Sequence, residues 1–355
     1  MTTAETVVDE KRLMDFVFKA VGDFGSLLTG AQVVIGDKLG LYRAMAGAGP
    51  LTSAELAART GTAERYVREW LCAQAAAGYV ALEGDGRFSL PAEQAIALTD
   101  ETSPACVVGG FELMLAAVHS TDRLVTAFQT GEGVGWHEHH PDLFEGCERF
   151  FRPGYAAYLT TSWIPALEGV GAKLHAGARV ADVGCGHGAS TVLMAQAYPQ
   201  STFVGTDYHD GSIEAARRHA EEKGVAQRTR FDVASAKDLQ GTYDLICMFD
   251  CLHDMGDPGG VCAHLREHLD PQGTLLLVEP FAGDTVADNL NPIGRVYYGA
   301  STLLCTPNSL SQDVGAALGA QAGEARLRQV VTGAGFGHFR RVAETPFNIV
   351  LEARP

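Results

Sequence analysis

The sequence predicts an α/β fold, a doubly wound and mainly parallel sheet, preceded by a smaller and mostly helical domain. Three observations predict it. Residues 179–198 read as a strand, a glycine-rich bend and a helix. Further apolar runs, spaced by helical segments and turn residues, follow to the end of the chain. The first hundred residues carry helical periodicity that closes in a short hairpin. At 355 residues, 46% of them apolar, the chain has length and composition for about two domains with their own cores.

Two apolar helical stretches, about Leu13–Leu28 and Ala31–Ala46, come first. Thr52 and Glu55 then form a capping box, and Gly61 ends the short helix they start. A longer helix from Ala63 to about Ala77 sets Val67, Trp70, Leu71, Ala75 and Gly78 on one face, and Tyr79–Leu90 reads as a hairpin turning at Asp85-Gly86. Helix, turn, helix, hairpin is the order of a winged helix. Such a domain either reads DNA with its second helix or serves as a scaffold. Residues 1–100 hold 9 Lys and Arg against 13 Asp and Glu, and that helix offers only Arg65 and Arg68 beside Glu64 and Glu69. Phosphate binding needs a basic surface, and the whole chain carries −16. The domain is therefore read as a scaffold, with no nucleic-acid partner. The leading helices hold more apolar surface than one small domain needs, which predicts a homodimer built on them.

Residues 101–165 read as a helical connector with an irregular centre at 131–141. That centre holds His137, His139 and His140, too close in sequence for one helical face. A polar lid over the site is expected there, and no metal centre.

The informative stretch follows. Val180–Val183 is a short buried strand; Gly184, Gly186 and Gly188 bend into a helix from about Ala189 to Tyr198; Ser201–Thr206 is a second strand ending at Asp207. Alternate glycines clear side chains from the backbone and allow positive φ. A carboxylate at the next strand end accepts hydrogen bonds from both hydroxyls of a ribose. These residues predict a nucleoside crevice. Gly184, Gly186 and Ala189 also satisfy the dinucleotide fingerprint, but Asp182 within the strand and the third glycine at Gly188 point to a more compact ligand. Thr229–Val233 and Tyr243–Phe249, ending at Asp250, are the third and fourth strands; a turn and fifth strand span Leu269–Pro280; His338–Ala343 and Phe347–Glu352 form a closing pair.

On these motifs residues 166–355 resemble a class I S-adenosylmethionine-dependent methyltransferase, in a bacterial subgroup with an N-terminal winged helix. The resemblance implies a Rossmann-like seven-stranded sheet with one antiparallel strand near an edge. It divides the chain into a dimerisation domain (1–100), a connector and lid (101–165) and a cofactor-binding domain (166–355). S-adenosyl-L-methionine becomes the expected cofactor, and S-adenosyl-L-homocysteine its product. Gly184, Gly186 and Gly188 are expected around its methionine portion, with Asp182 favouring its ammonium group or ordering the loop. Asp207 is expected on the ribose and Tyr208 on adenine. Related enzymes often place an Asp after the third strand; here Ser235, followed by Ala236, occupies that place. Asp250 is expected at the cofactor, and Tyr155 or Trp163 as an aromatic face for the sulfonium.

The segment Asp250–Pro258 resembles the Leu-His-Asp-Trp motif of small-molecule O-methyltransferases, whose histidine is the base. His253 is thus the expected general base, with Glu279 orienting its ring and Asp254 a weaker possibility. Met255 stands where those enzymes have Trp and is expected on the substrate wall. The long excursion from Phe281 to about Gly323 is expected to form a substrate lid, with Arg295 and Tyr298 facing the substrate. The reading is an enzyme, a methyltransferase acting on a small organic molecule at a hydroxyl oxygen. The alternative is a ligand-sensing transcriptional regulator that keeps the cofactor domain without turnover. Residues 1–12 show no secretory leader, no apolar run approaches the roughly 20 residues of a membrane span, and eight cysteines lie scattered without a Cys-x-x-Cys. A soluble cytoplasmic protein is expected.

Overall fold

The chain divides into two compact units, one ending at Leu115 and one running from Ala116 to Pro355. The structure is a computed structural model that describes residues 8–355, so most of the stretch on which a leader was sought lies outside the described residues.

In the first unit α1 (Glu10–Lys38) is a single helix across the break expected near Gly30. Gly30 does not bend the chain; a methyl group there would touch the Phe111 ring at 3.4 Å, so this glycine permits close approach. Gly40, at φ +68°, makes the turn into α2 (Leu41–Met45). In α3 (Ser53–Thr60) both halves of the capping box form, and Gly61 closes it at φ +66°. α4 (Glu64–Ala76) follows, then the hairpin of β1 (Ala81–Leu82) and β2 (Phe88–Ser89), whose Phe88 also bridges to Leu51. Val67, Trp70 and Leu71 are buried as the periodicity requires, with Ala75 at the margin. Gly78 is exposed, because it lies past the helix end at φ +78°. Burial in α1 starts only at Gly30. Before it Phe16, Phe18, Phe24 and Leu28 are 66%, 68%, 64% and 64% exposed among the described residues, a long apolar face.

The second unit is built on seven strands: β3 (Arg179–Val183), β4 (Thr202–Asp207), β5 (Thr229–Val233), β6 (Tyr243–Phe249), β7 (Leu269–Pro280), β8 (His338–Glu344) and β9 (Asn348–Arg354). Their order is β5-β4-β3-β6-β7-β9-β8, with β9 alone antiparallel, between β7 and β8. Both sheet faces are apolar. Val180, Leu245, Cys247, Leu276 and Val278 face one layer of helices, while Ala181, Val183, Ile246, Met248 and Leu277 face the other. This is the pattern of a sheet covered on both sides. Strand order reverses between β3 and β6, where an open α/β sheet leaves a crevice at its carboxyl ends.

Two helical segments of this unit contain π-helical turns. The helix Asp142–Tyr158 runs into the turn Leu159–Trp163, and the helix Pro292–Ala300 into the turn Ser301–Cys305. Such turns shift the phase of everything beyond them. Among the described residues no helix is long and apolar enough to cross a membrane.

Candidate active site

The bend after β3 is held by the end of β4. The amides of Gly184 and Cys185 both donate to the Thr206 carbonyl, at 2.8 and 3.0 Å. The Gly186 amide donates to Asp207 Oδ2 at 3.0 Å, and the His209 amide to Oδ1 at 2.9 Å. Gly184, Gly186 and Gly188 all have positive φ, at +74°, +52° and +75°. A Cβ at Gly184 would sit 2.8 Å from Cys251 Sγ, and one at Gly188 would sit 2.9 Å from Ala216 and 3.0 Å from Phe231. Side chains are thus excluded here by conformation and by space.

A cavity of about 490 Å³ opens over these strand ends, within the range of small-ligand pockets, about 300–1,000 Å³. Gly184, Gly186, Asp207, Tyr208, Ser235, Ala236, Asp250, Met255 and Tyr155 lie on its wall. Asp207 is pushed above the ordinary carboxylate value by burial, against the backbone amides of His209, Gly186 and Tyr208 that favour its charge. Thr206 also lies on the wall, and its Oγ1 is buried without a hydrogen-bond partner. Ser235 caps the following turn, its hydroxyl donating to Asp238 Oδ2 at 2.7 Å. Tyr208 meets His137 edge to face, with ring centroids 6.0 Å apart.

Asp250 follows β6 at φ +50°, a strained value for a residue with a side chain. Tyr155 Oη donates to its Oδ2 at 2.9 Å, and Asn348 Nδ2 to its Oδ1 at 2.8 Å. Burial, reinforced by Glu279, pushes its pKa up to about 8.

Several expected site residues lie elsewhere. Trp163 is 1% exposed and off the cavity wall; it packs behind Tyr155 at 6.0 Å and Tyr158 at 6.1 Å, because the π-helical turn rotates it into the core. Asp182 is buried below the bend and off the wall. Its Oδ2 accepts hydrogen bonds from Ser190 and Thr191 hydroxyls, both at 2.6 Å, which tie strand to helix and order the loop. Burial raises its pKa to about 6. Gly188 is also off the wall, spent on the close approach to Ala216 and Phe231. Arg295 and Tyr298 do not line the cavity, because the helix they occupy turns Tyr297 inward, with its hydroxyl on the Phe347 carbonyl at 2.7 Å. The excursion meets the cavity later, through Asn308, Ser311 and Gln312.

His253 is 4% exposed and does not reach the wall. Its Nδ1 lies 2.7 Å from Glu279 Oε2, and its Nε2 lies 3.2 Å from Asp254 Oδ1. The second Glu279 oxygen accepts the Leu252 amide at 3.0 Å, which fixes the carboxylate. Of the two carboxylates against its ring, Asp254 lies on the wall and Glu279 does not.

Sequence reading missed much of the rest of the wall. Phe144, Glu148 and Phe151 come from the helix Asp142–Tyr158, and Trp136 from the irregular strap before it. The 3.6-residue spacing of Phe144, Glu148 and Phe151 was the available signal. The strap is tied to the excursion: the Val134 amide donates to the Pro307 carbonyl at 3.0 Å, and the Trp136 amide to Asn308 Oδ1 at 3.0 Å. Its histidines diverge. His137 faces the cavity, His139 is buried with Nδ1 at 2.8 Å from Ser120 Oγ, and His140 lies against His119 with ring centroids 4.9 Å apart.

Comparison with known proteins finds family models, curated relatives and solved structures that this chain resembles. Residues 174–307 match the family model described as a methyltransferase domain, and residues 28–100 the model described as an Rv2258c-like winged HTH domain. Trans-aconitate 2-methyltransferase of Deinococcus radiodurans is 32% identical over 115 residues, 32% of this chain and 42% of that protein. Ubiquinone biosynthesis O-methyltransferase of Xanthomonas axonopodis pv. citri is 35% identical over 116 residues, 31% of this chain and 47% of that protein. The chain thus spans less than half the length of these curated relatives. Mitomycin 7-O-methyltransferase shares the fold over 97% of this chain and 100% of its own, with a TM-score of 0.66 at 21% identity. Human N-acetylserotonin methyltransferase, solved with its S-adenosylmethionine, shares it over 99% of both chains, with a TM-score of 0.68 at 16% identity.

The raised carboxyls predict a pH effect on stability. Asp250 and Asp182 bind a proton more tightly in the folded state than in the unfolded one. Their stabilising contribution is therefore full below the unfolded value near 4 and is lost as pH rises toward about 8. Urea unfolding of the ligand-free protein between those limits should show stability falling with pH, and Asp250→Asn should flatten the upper part of the fall.

Proposed function

We propose that this chain, which joins an Rv2258c-like winged HTH domain to a methyltransferase domain, is an S-adenosylmethionine-dependent methyltransferase that methylates a hydroxyl oxygen of a small organic molecule. The observation that carries the reading is the Asp207 carboxylate, anchored by two backbone amides beside a bend stripped of side chains. The carboxylate keeps accepting capacity for a ribose hydroxyl, and the unpartnered Thr206 hydroxyl belongs to the residue before it. The residues fit the cofactor. Asp207 would hold the ribose, Tyr208, Ser235 and Ala236 the adenine, and Gly184 and Gly186 the methionine portion, with Tyr155 and Asp250 beyond them. Asp182 and Gly188 act from beneath, by ordering the bend.

When bound, the cofactor supplies an electrophilic methyl group on a cationic sulfur. The chain's own residues do the rest. Phe144, Phe151, Trp136 and Met255 wall the cavity and exclude water, so that an acceptor oxygen is held in line with the methyl group. The tie between the strap at 131–141 and the excursion at Asn308 suits a lid over that cavity. Proton removal falls to the Glu279–His253–Asp254 chain, with His253 at its centre; a placed base contributes about 10²–10⁴-fold.

In the N-terminal domain (1–100) the two arginines of α4 are committed to neighbouring glutamates, Arg65 to Glu69 at 2.6 Å and Arg68 to Glu64 at 2.7 Å. That favours a scaffold over a DNA reader, with residues 101–165 as connector and 166–355 as the catalytic domain. The exposed apolar face of α1 suits a second copy of the chain. Eight cysteines in the free state suit a cytoplasmic setting.

Incubating the protein with methyl-labelled S-adenosylmethionine and a panel of phenols, catechols and alcohols should transfer label to an organic product. Asp207→Ala should lower the rate on the order of 100-fold, from two lost charge-assisted hydrogen bonds. No labelled product across the panel would count against an oxygen acceptor. In sedimentation at micromolar concentration the protein should run as a dimer, and Phe18→Asp with Phe24→Asp should make it a monomer; a monomeric parent would remove the dimer.

A further inference from the structure

We infer that His253, Asp254 and Cys305 form a zinc-binding site that shares its nitrogen ligand with the proposed base, so that an ion held there stops turnover. The site stands on its own geometry; its effect on turnover rests on the methyltransferase reading, in which His253 removes the proton. One nitrogen, one carboxylate oxygen and one sulfur from these three side chains all lie within 4.8 Å of one another. Such a mixed set suits a borderline-soft dication, and zinc takes all three atom types in a tetrahedral shell. Zinc bonds of about 2.0–2.2 Å to nitrogen and oxygen set two such ligands about 3.3–3.5 Å apart in a tetrahedron. His253 Nε2 and Asp254 Oδ1 stand 3.2 Å apart. They are not aligned as a hydrogen bond, and Asp254 Oδ1 is buried with no such partner. An ion between them would satisfy ring and carboxylate together.

The surroundings hold the three ligands in place. Glu279 Oε2 lies 2.7 Å from His253 Nδ1, and its other oxygen accepts the Leu252 amide at 3.0 Å. A carboxylate on one ring nitrogen is what orients a metal-ligating histidine and leaves the other nitrogen for the ion. Cys305, 7% exposed, ends the π-helical turn Ser301–Cys305, and turns of that kind recur at functional sites. The segment after it is fastened to the loop that carries the other two ligands. Gln312 Nε2 donates to the Asp254 carbonyl at 3.1 Å, Ser309 Oγ to the Met255 carbonyl at 2.8 Å, and the Gly256 amide to Gln312 Oε1 at 3.0 Å. The fold itself thus brings the thiol to the ring and the carboxylate. Asp254 lies on the cavity wall, so an ion has a path in from the cavity.

Binding exchanges protons for the ion. Burial pushes the Cys305 thiol up to about 12, so it keeps its proton until the metal arrives. The S–H bond then breaks, sulfur binds zinc, and the proton leaves to solvent. At the ring, burial opposes protonation and the carboxylates of Asp254 and Glu279 outweigh it, so the ion competes with a proton for Nε2. No electron moves and no further reactant is needed. A zinc-bound Nε2 has no lone pair left for the acceptor's proton. His253 is therefore the base of the ion-free protein and is silenced in the zinc-bound one.

The test uses the full-length protein, stripped of metal with a chelator, with cobalt(II) as a spectroscopic substitute for zinc. One cobalt ion per chain should bind with a thiolate-to-cobalt absorption band, and zinc should displace it. The chain has eight cysteines, so the band is assigned by its loss in Cys305→Ala. That substitution should also weaken zinc binding in equilibrium dialysis at least about tenfold, the least that loss of even a supporting partner costs. Should the variant not fold, Asp254→Asn serves, with the same weakening expected. No thiolate band, or a band and an affinity that neither substitution moves, would overturn the site. In the labelled-methyl assay zinc should inhibit with the midpoint of its binding, and a chelator should restore turnover. Full turnover with zinc bound at Cys305 would overturn the inhibition. A protein that transfers no methyl group with or without chelator would instead strike the methyltransferase reading, and the cobalt spectrum would still decide the site.

Discussion

The end of β4 ties the glycine bend to the sheet, and the rest of the site depends on that tie. Two amides of the bend end on one carbonyl, at Thr206, and a third ends on the carboxylate of Asp207. The bend cannot take this path with ordinary residues, since three of its positions have positive φ and at two of them a Cβ would collide with a neighbour. The same hydrogen bonds that shape the bend also aim the Asp207 carboxylate across the crevice. Shape and charge are therefore set by one local structure.

Burial makes the floor of the cavity electrostatically tense. Asp207, Asp250 and Asp254 all stand above the ordinary carboxylate range because water is excluded from them. Lys237, the lysine on the wall, is already paired with Asp257 at 2.5 Å. A cationic sulfonium is the charge this arrangement favours. Under the proposed function, the charge lost on methyl transfer would weaken that hold on the product.

The sheet was legible because its strands are apolar runs bounded by turn residues. The capping box at Thr52 and Glu55, and the acid at the end of β4, are local patterns that tertiary contacts did not override. Side-chain direction was less legible. Tyr155 and Trp163 are both aromatic and near each other in sequence, but a π-helical turn lies between them, and no residue type marks such a turn. The second π-helical turn, Ser301–Cys305, likewise lies between Arg295 and Tyr298, which miss the cavity, and Asn308 and Ser311, which line it. His253 and Asp254 are adjacent, so sequence cannot say which of them lines the cavity; two hydrogen bonds from Glu279 on β7, to the His253 ring and the Leu252 amide, hold the imidazole behind the wall. Gly30 shows the reverse error, a glycine that sequence reads as a break and that the structure uses for packing.

The central claim is that the Asp207 carboxylate and the glycine bend form an adenosyl-sulfonium site. Isothermal titration of the full-length protein with S-adenosylhomocysteine tests it most directly. One molecule should bind per chain, and binding should vanish in Asp207→Ala while circular dichroism stays unchanged. No heat from that compound, with a nicotinamide dinucleotide binding in its place, would contradict the account.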